Sequence, residues 1–159
     1  MRFTAVIELR PFQSTDTPFF AGMAGDSRVT RFVGDGQPWQ DNAIDARVSA
    51  ALDLLPLERS GSVRWFIAEE SGEPVGLVVS TRRESAVEIG YWVSPEHWGK
   101  GVAGAMVSEA VIVITELFSV RSLVARVDPA NVASVRILSR LGFTPGASKD
   151  GLDQYERNI

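Results

Sequence analysis

Apolar and polar positions along this 159-residue chain change period several times, and each period predicts an element of secondary structure. Residues 3–12, "FTAVIELRPF", alternate and predict a first strand that meets Pro11. Ser14 is the expected N-cap of a short helix, and a glycine-containing loop, "RVTRFVGDGQPW", interrupts the helical region after it. A second, amphipathic helix is predicted from Asp41 to the residue before Pro56. Its apolar positions are Ile44, Val48, Ala51, Leu52 and Leu55.

The second half of the chain contains more strands than helices. The predicted elements are a hairpin of strands 63–70 and 74–81, a strand 86–93, a helix from the glycine stretch to about Val120, a strand 122–128, a helix 131–142 and a strand 151–159. Gly142 is expected at the C-terminal end of the last helix. The resulting order predicts an α/β (α+β) fold with a mixed, mostly antiparallel central sheet flanked by helices.

Composition narrows the class of protein. The length predicts one domain over residues 1–159, and the apolar fraction of 45% is that of an ordinary globular protein. Neither a membrane-spanning run nor a secretory signal is recognisable, which fits a cytoplasmic protein without a membrane partner. The absence of cysteine excludes disulfides and thiolate chemistry. The net charge of −4, without a basic block, argues against nucleic acid as a partner. No cluster of histidine and carboxylates has ligand spacing, so no metal is expected.

The stretch "GKGVAG", Gly99 to Gly104, matches G-x-G-x-x-G, the fingerprint of dinucleotide-binding folds. Five residues separate it from the preceding strand and only 55 follow it, too few to complete such a fold. A P-loop is excluded because Gly101 stands where Ser or Thr is required and Ser94 where the first glycine belongs. Glycines before a helix N-terminus nevertheless suit a phosphate group. A tight turn required for packing would explain them equally well.

The segments around these glycines resemble a known family. "AVEIGYWVSPEHWGKGVAGAMVSEAV" is similar to the acetyl-CoA-binding motif [QR]-x-x-G-x-[GA] of the GNAT acetyltransferases, with Trp98 in place of the usual Gln or Arg, Gly101 fourth and Ala103 sixth. "NVASVRILSRLGF", from Asn131 to Phe143, resembles a second motif of the branch that contains ribosomal-protein N-terminal acetyltransferases. "IELRPF" and "SRVTRFVGDGQPW" are similar to that branch too, so the resemblance covers essentially the whole chain.

The resemblance implies acetyl-CoA as cosubstrate. The glycine stretch would hold the pyrophosphate through backbone N–H groups, and the pantetheine arm would pair with the preceding strand. A backbone N–H there, that of Val93, would face the thioester oxygen. Asn131 would cap the last helix and also bind pantetheine. The implied cofactor-binding residues are Tyr91, Trp92, Val93, Trp98, Gly99, Lys100, Gly101, Val102, Ala103, Gly104 and Asn131.

Two residues are the candidate catalytic groups. Period-two alternation places Glu88 on one strand face with Gly90 and Trp92, where a carboxylate could take a proton from an amine. Many members of the family have a tyrosine acid at the position of Leu138, so we expect Ser134, one helical turn away, to serve the leaving thiolate. A solvated surface Glu88 and an ordinary helical Ser134 are the simpler alternatives. His97 lies in a loop where the family places no catalyst.

The resemblance therefore implies an N-acetyltransferase that moves an acetyl group from acetyl-CoA directly to a primary amine, such as a protein N-terminus. The alternatives are a small-molecule amine acceptor, such as an aminoglycoside or polyamine, and a non-catalytic CoA-binding regulatory module. The sequence does not name the acceptor, because the loops that shape such pockets vary freely. A homodimer is an expectation at the level of the family.

Overall fold

The computed structural model describes residues 6–159 and arranges them around one seven-stranded sheet. The strands are β1 (Glu8–Pro11), β2 (Val63–Glu70), β3 (Glu73–Arg83), β4 (Ala86–Val93), β5 (Ser122–Val127), β6 (Thr144–Lys149) and β7 (Leu152–Asn158). The helices are α1 (Thr17–Ala24), α2 (Ser27–Thr30), α3 (Asp41–Leu52), α4 (Val102–Phe118) and α5 (Val132–Arg140). Two short 3₁₀ turns, Ser14–Asp16 and Pro95–His97, precede α1 and α4.

The predicted fold class and the order of the main elements are confirmed, with local exceptions. Strand β6 was not predicted, and the single turn α2 lies in a segment expected to be a loop. The expected N-cap at Ser14 is wrong: Asp16 is the N-cap of α1, and Gln13 is the N-cap of the preceding 3₁₀ turn, where the Asp16 carboxylate accepts the Gln13 N–H at 2.8 Å. Helix α3 ends at Leu52 rather than Leu55. The first strand was expected from residue 3, and residues 3–5 lie outside the described residues.

The sheet has the order β1-β2-β3-β4-β5-β7-β6 and is antiparallel except between β4 and β5. Strands β2, β3 and β4 form a meander of long ladders, and β5 pairs with β7 along its whole length. The parallel junction contains only two registered pairs, Val87 with Leu123 and Glu88 with Val124. Within the described chain, β4 therefore has no partner strand on its β5 side beyond Glu88.

The two faces of the sheet carry separate apolar clusters. Helices α4 and α5 cover one face, where Met106, Ile114 and Leu138 are buried against β3, β4 and β5. Helices α1 and α3 cover the other face, where Phe20 and Trp65 are the largest buried rings. Residues of β4 alternate between the clusters, as expected from its period of two. Successive β4 side chains therefore reach different compartments.

Two contacts fix the helices that border the site. A Cβ atom on Gly76 of β3 would lie 2.6 Å from the Trp92 carbonyl oxygen and 2.7 Å from Met106 Sδ, so only glycine lets α4 approach this closely. On the other face, the Arg10 guanidinium binds both oxygens of Asp16 at 2.7 and 2.8 Å. That bidentate pair lowers the pKa of the Asp16 carboxyl and holds the start of α1 against β1.

Candidate functional site

The separation of β4 from β5 leaves a row of free backbone groups along β4. The Ser94 N–H donates to the Val75 carbonyl of β3 at 2.9 Å. Since successive N–H groups of a strand point to opposite edges, the N–H groups of Val93 and Tyr91 point toward β5. No strand of the described chain pairs with them there. The resulting notch, between residues 89–93 and the end of β5, can accept an extended ligand as an additional strand.

The glycine stretch continues from the notch into the N-terminus of α4. Gly99 and Gly101 have φ values of +73° and +77°, and a Cβ atom at Gly99, Gly101 or Gly104 would meet no atom within 4 Å. The first backbone bond of the helix is from the Ala105 N–H to the Gly101 carbonyl at 3.2 Å. The six N–H groups of residues 99–104 donate to no group of the described chain. Free N–H groups, the helix dipole and open space are together the features that suit an anion, and this concavity has all three.

The Trp98 side chain contacts the C-terminal end of strand β4. Its indole N–H donates to the Val93 carbonyl at 2.8 Å, while the side chain remains about half exposed, at 47%. The carbonyl is on the notch side, because the C=O and N–H of one residue point to the same edge. Trp98 thus joins the notch to the glycine stretch, at the position where the family motif usually has Gln or Arg.

The N-terminus of α5 adds two polar side chains on the same side of the sheet as α4. The Asn131 side chain accepts the Ser134 N–H at 3.3 Å, so the predicted N-cap is present. The Tyr91 hydroxyl is buried and has no hydrogen-bond partner within the described part of the chain, and Ser134 is its polar neighbour. Burial raises the pKa of the Tyr91 phenol, and the Ser134 hydroxyl opposes part of that rise. Leu138 is a core residue with 1% exposure and supplies no acid.

Glu88 lies on the opposite face, in the lining of a cavity of about 310 Å³ between the sheet and helices α1 and α3. Its carboxylate is partly exposed and lies 3.3 Å from the guanidinium of Arg83. Because Arg83 is more than half exposed, this ion pair is weak, at roughly 0–1 kcal/mol, and leaves the carboxylate free to exchange partners. Trp92, two residues along β4, lines the same cavity.

Aromatic rings from four segments of the chain meet in the lining of this cavity. Phe20, Trp39, Trp65 and Trp92 contact one another with ring centroids 4.9 to 5.8 Å apart. Arg47 of α3 lies over the Trp39 ring, 5.6 Å from its centroid, and completes the rim. Period-two alternation predicted that Trp92 shares the strand face of Glu88, but the sequence analysis did not identify Phe20, Trp65 or Arg47 as lining residues. These residues are far apart along the chain and come together only on one face of the folded sheet, so no local sequence pattern could have identified them.

The candidate catalytic groups therefore approach the notch from two sides. Glu88 lines the cavity, whereas Ser134 lies on the side covered by α4 and α5. Tyr91 contributes to both sides: it is part of the cavity lining, and its ring packs against the cluster under α4 and α5 with Ser134 next to its hydroxyl. His97 lies in the 3₁₀ turn before the glycines and does not line the cavity. Among residues 6–159, no three His, Asp or Glu side chains are grouped to hold a metal ion. No helix in that range is long and apolar enough to cross a membrane.

Comparison with known proteins identifies the class of this fold and site. A family model described as an acetyltransferase (GNAT) domain matches residues 7–144. The chain is 25% identical over 159 residues to an uncharacterized N-acetyltransferase, p20, of Bacillus licheniformis, covering 98% of this chain and 86% of that protein. The chain belongs to the GNAT family and is an acyl-CoA-dependent N-acetyltransferase.

Solved structures share the fold at low identity. The ribosomal L7/L12 α-N-protein acetyltransferase RimL, in complex with coenzyme A, aligns with a TM-score of 0.79 and 18% identity over 97% of this chain and 94% of that one. The aminoglycoside enzyme AAC(6')-Ib, with ribostamycin and coenzyme A, gives 0.79 and 18% over 96% and 93%. Spermidine N-acetyltransferase from Vibrio cholerae, with CoA and spermine, gives 0.77 and 17% over 96% and 94%. These neighbours act on different amines, so the fold alone leaves the acceptor open.

The glycine stretch yields a prediction with a matched control. Gly72, in the β2–β3 turn, has φ +78° and equally open space around a Cβ, so Gly101→Val and Gly72→Val impose the same backbone strain. Each should destabilise the protein by about 1–2 kcal/mol. Gly101→Val alone should weaken coenzyme A binding, by roughly tenfold or more, because its side chain fills the anion concavity.

Isothermal titration with coenzyme A measures this difference, and thermal unfolding confirms that both variants fold. NADH and ATP serve as negative ligands and should leave the melting temperature of the wild type unchanged, whereas coenzyme A should raise it. Equal coenzyme A affinity in the two valine variants would return the glycines to a purely structural role.

Proposed function

We propose that this protein transfers the acetyl group of acetyl-CoA directly to a primary amine that enters from the aromatic cavity. The observation that carries the proposal is the continuity of two features: unpaired N–H groups along β4 and six further free N–H groups at residues 99–104. The first set suits an amide-containing arm laid along a strand, and the second suits a pyrophosphate. An arm that ran along β4 from the glycine stretch would carry its thioester toward the cavity that Glu88 lines.

Cosubstrate binding rests on residues of β4, the loop and α5. The N–H groups from Gly99 to Gly104, including those of Lys100, Val102 and Ala103, would bind the pyrophosphate, and the exposed Lys100 ammonium adds positive charge. Tyr91, Trp92 and Val93 would flank the pantetheine arm on the β4 side, and Asn131 on the α5 side. The half-exposed ring of Trp98 offers an apolar surface beside them.

Glu88 is proposed as the general base. Its carboxylate lines the cavity. Glu88 and Val124 also form the last registered pair between β4 and β5. There it would accept the amine proton, directly or through a water, as the amine nitrogen attacks the thioester carbon. The Val93 N–H points into the notch and would donate to the oxygen on which negative charge develops.

Ser134 is proposed to serve the departing sulfur from the other face. As the carbon–sulfur bond breaks, the Ser134 hydroxyl would donate to the thiolate while it accepts a hydrogen bond from Tyr91. That arrangement would satisfy the Tyr91 hydroxyl, which is buried and unpartnered in the structure. Because burial raises the pKa of Tyr91, its phenol stays protonated at neutral pH and remains a donor.

The fold neighbours support two kinds of acceptor, and one observation supports a non-catalytic alternative. A protein N-terminus, as in the RimJ/RimL-like branch, and a small-molecule amine both present the same attacking nitrogen. A CoA-binding regulatory module is favoured only by Leu138, an apolar core residue where many relatives have a tyrosine acid.

The function is tested by release of free coenzyme A from acetyl-CoA with a panel of primary amines. Aromatic amines, peptides with free N-termini, spermidine and an aminoglycoside cover the candidate classes. We expect amine-dependent coenzyme A release and the matching N-acetylated product by mass spectrometry. Tight acetyl-CoA binding without turnover on any of these amines would contradict the enzyme and favour the regulatory module.

The division of labour between the two catalytic groups predicts different pH–rate profiles. Glu88→Gln keeps size and polarity but cannot accept a proton, so turnover should fall by roughly 10²- to 10⁴-fold. Part of the loss should return at high pH, where more of the acceptor amine is already neutral. Ser134→Ala should cause a smaller loss without alkaline rescue, because its role concerns the leaving thiolate.

Profiles of wild type and variants on one working acceptor decide between these roles. Tyr91→Phe removes only the phenol oxygen, and we expect it to reproduce the profile of Ser134→Ala. Acetyl-CoA binding should stay nearly unchanged in Glu88→Gln. A Glu88→Gln profile identical to that of the wild type would make Glu88 a surface carboxylate and place the base elsewhere.

A further inference from the structure

The aromatic cavity has a charge balance that restricts its occupant. Glu88 is the one carboxylate in its described lining, and Arg83 already pairs with it at 3.3 Å. Arg47 is the cation of the lining and forms no ion pair or side-chain hydrogen bond within the described chain. A ligand that brings several ammonium groups would find one shared carboxylate and one repelling guanidinium. The cavity is therefore poorly matched to a polycation.

The cavity also has a definite shape. Phe20 and Trp65, with 1% and 9% exposure, form its buried part, and the more accessible Trp39 and Trp92 meet at an interplanar angle of 81°. Phe20 stacks on Trp92 with an 18° interplanar angle, so one face of that indole is covered. The volume of about 310 Å³ lies at the lower end of the range for ligand pockets, roughly 300–1,000 Å³. These walls suit a flat apolar group more than a long polar chain.

Arg47 is held in a way that leaves it available to an anion. Its guanidinium lies over the ring of Trp39, which orients the planar group and occupies a face that could otherwise attract a substrate ammonium. A stacked guanidinium keeps its N–H edge free for bidentate binding of a carboxylate. Helix α3 places Arg47 at the rim of the cavity, whereas Glu88 is supplied by the sheet.

From these three features we propose that the acceptor is a primary amine with a flat apolar body and an anionic group, and that Arg47 recognises the anion. The amine nitrogen is directed to Glu88, the apolar body lies among the four rings, and the anion meets Arg47. This inference rests on the proposed acetyl transfer and adds the class of acceptor. A compact aromatic amino acid and the first residues of a peptide with an apolar N-terminus and a carboxylate both carry this chemistry.

The test compares acceptors that differ only in the anion. 4-(Aminomethyl)benzoate and 4-(aminomethyl)benzamide have the same size and nearly the same amine, and the meta isomers vary the distance to the anion. We expect the better benzoate to exceed its benzamide in kcat/KM by about tenfold or more, as for a charge-assisted hydrogen bond. Spermidine should be a poorer acceptor than that benzoate. Phenylalanine and phenylalanylglycine, each against its C-terminal amide, distinguish a free amino acid from a peptide.

Variants connect the preference to Arg47. Arg47→Gln should bring the benzoate-to-benzamide ratio close to one, and Arg47→Lys should retain part of the ratio. Arg121→Gln removes the same charge from an exposed arginine that does not line the cavity and should leave the ratio unchanged. Using the ratio within each variant cancels general effects on folding or on acetyl-CoA.

The results that would overturn this acceptor class differ from those that would overturn the proposed acetyl transfer. Turnover with equal use of benzoate and benzamide, an unchanged ratio in Arg47→Gln, or preference for spermidine would overturn the acceptor class while acetyl transfer stands. Absence of turnover on every amine would overturn the proposed function. Binding of the same pairs, followed by the intrinsic tryptophan fluorescence of the protein, then still tests the cavity: tighter benzoate binding that disappears in Arg47→Gln supports its role, and equal binding contradicts it.

Discussion

Strands β4 and β5 run parallel but share only the pairs Val87–Leu123 and Glu88–Val124, while each is fully laddered on its outer side. The notch between β4 and β5 is therefore a gap inside the sheet, bordered by two strands that are each fully paired on their other side. Free N–H groups of β4 face that gap, the glycine stretch continues it, and α4 and α5 border it on one side. Without this separation, the N–H groups of β4 would bond to β5 and could not bind an extended ligand. No opening between these strands would then connect the two faces of the sheet.

In the proposed mechanism, the two sides of this gap have different chemical roles. On one face, an aromatic cavity with a single carboxylate suits an incoming amine, which must lose a proton to attack. On the other, Ser134 and the buried Tyr91 hydroxyl suit a departing thiolate, which must gain a hydrogen bond. Gly76 and the Arg10–Asp16 pair act at a distance by fixing the helices that form these compartments.

Local patterns predicted the parts of this structure that local physics determines. The alternation of β4 and the Asn131 cap were readable because period and capping act over a few residues. Strand β6 was missed because "TPGASK" is wholly exposed and contains Pro and Gly; it is a strand because β7 offers an edge. The cap at Ser14 was wrong because the Asp16 carboxylate, tied to Arg10, binds the Gln13 N–H instead. The aromatic cavity joins residues far apart along the chain, which no window of sequence contains.

Amide hydrogen exchange with and without acetyl-CoA tests the central claim, that the gap between β4 and β5 is where the cosubstrate lies. The N–H groups of Tyr91, Val93 and residues 99–104 have no bonding partner among residues 6–159 and should gain protection when acetyl-CoA binds. Neighbouring amides of β4 that already bond to β3, and the β6–β7 hairpin, serve as internal references and should change little. Saturating acetyl-CoA that protects other segments but leaves residues 89–93 and 99–104 unchanged would contradict the account.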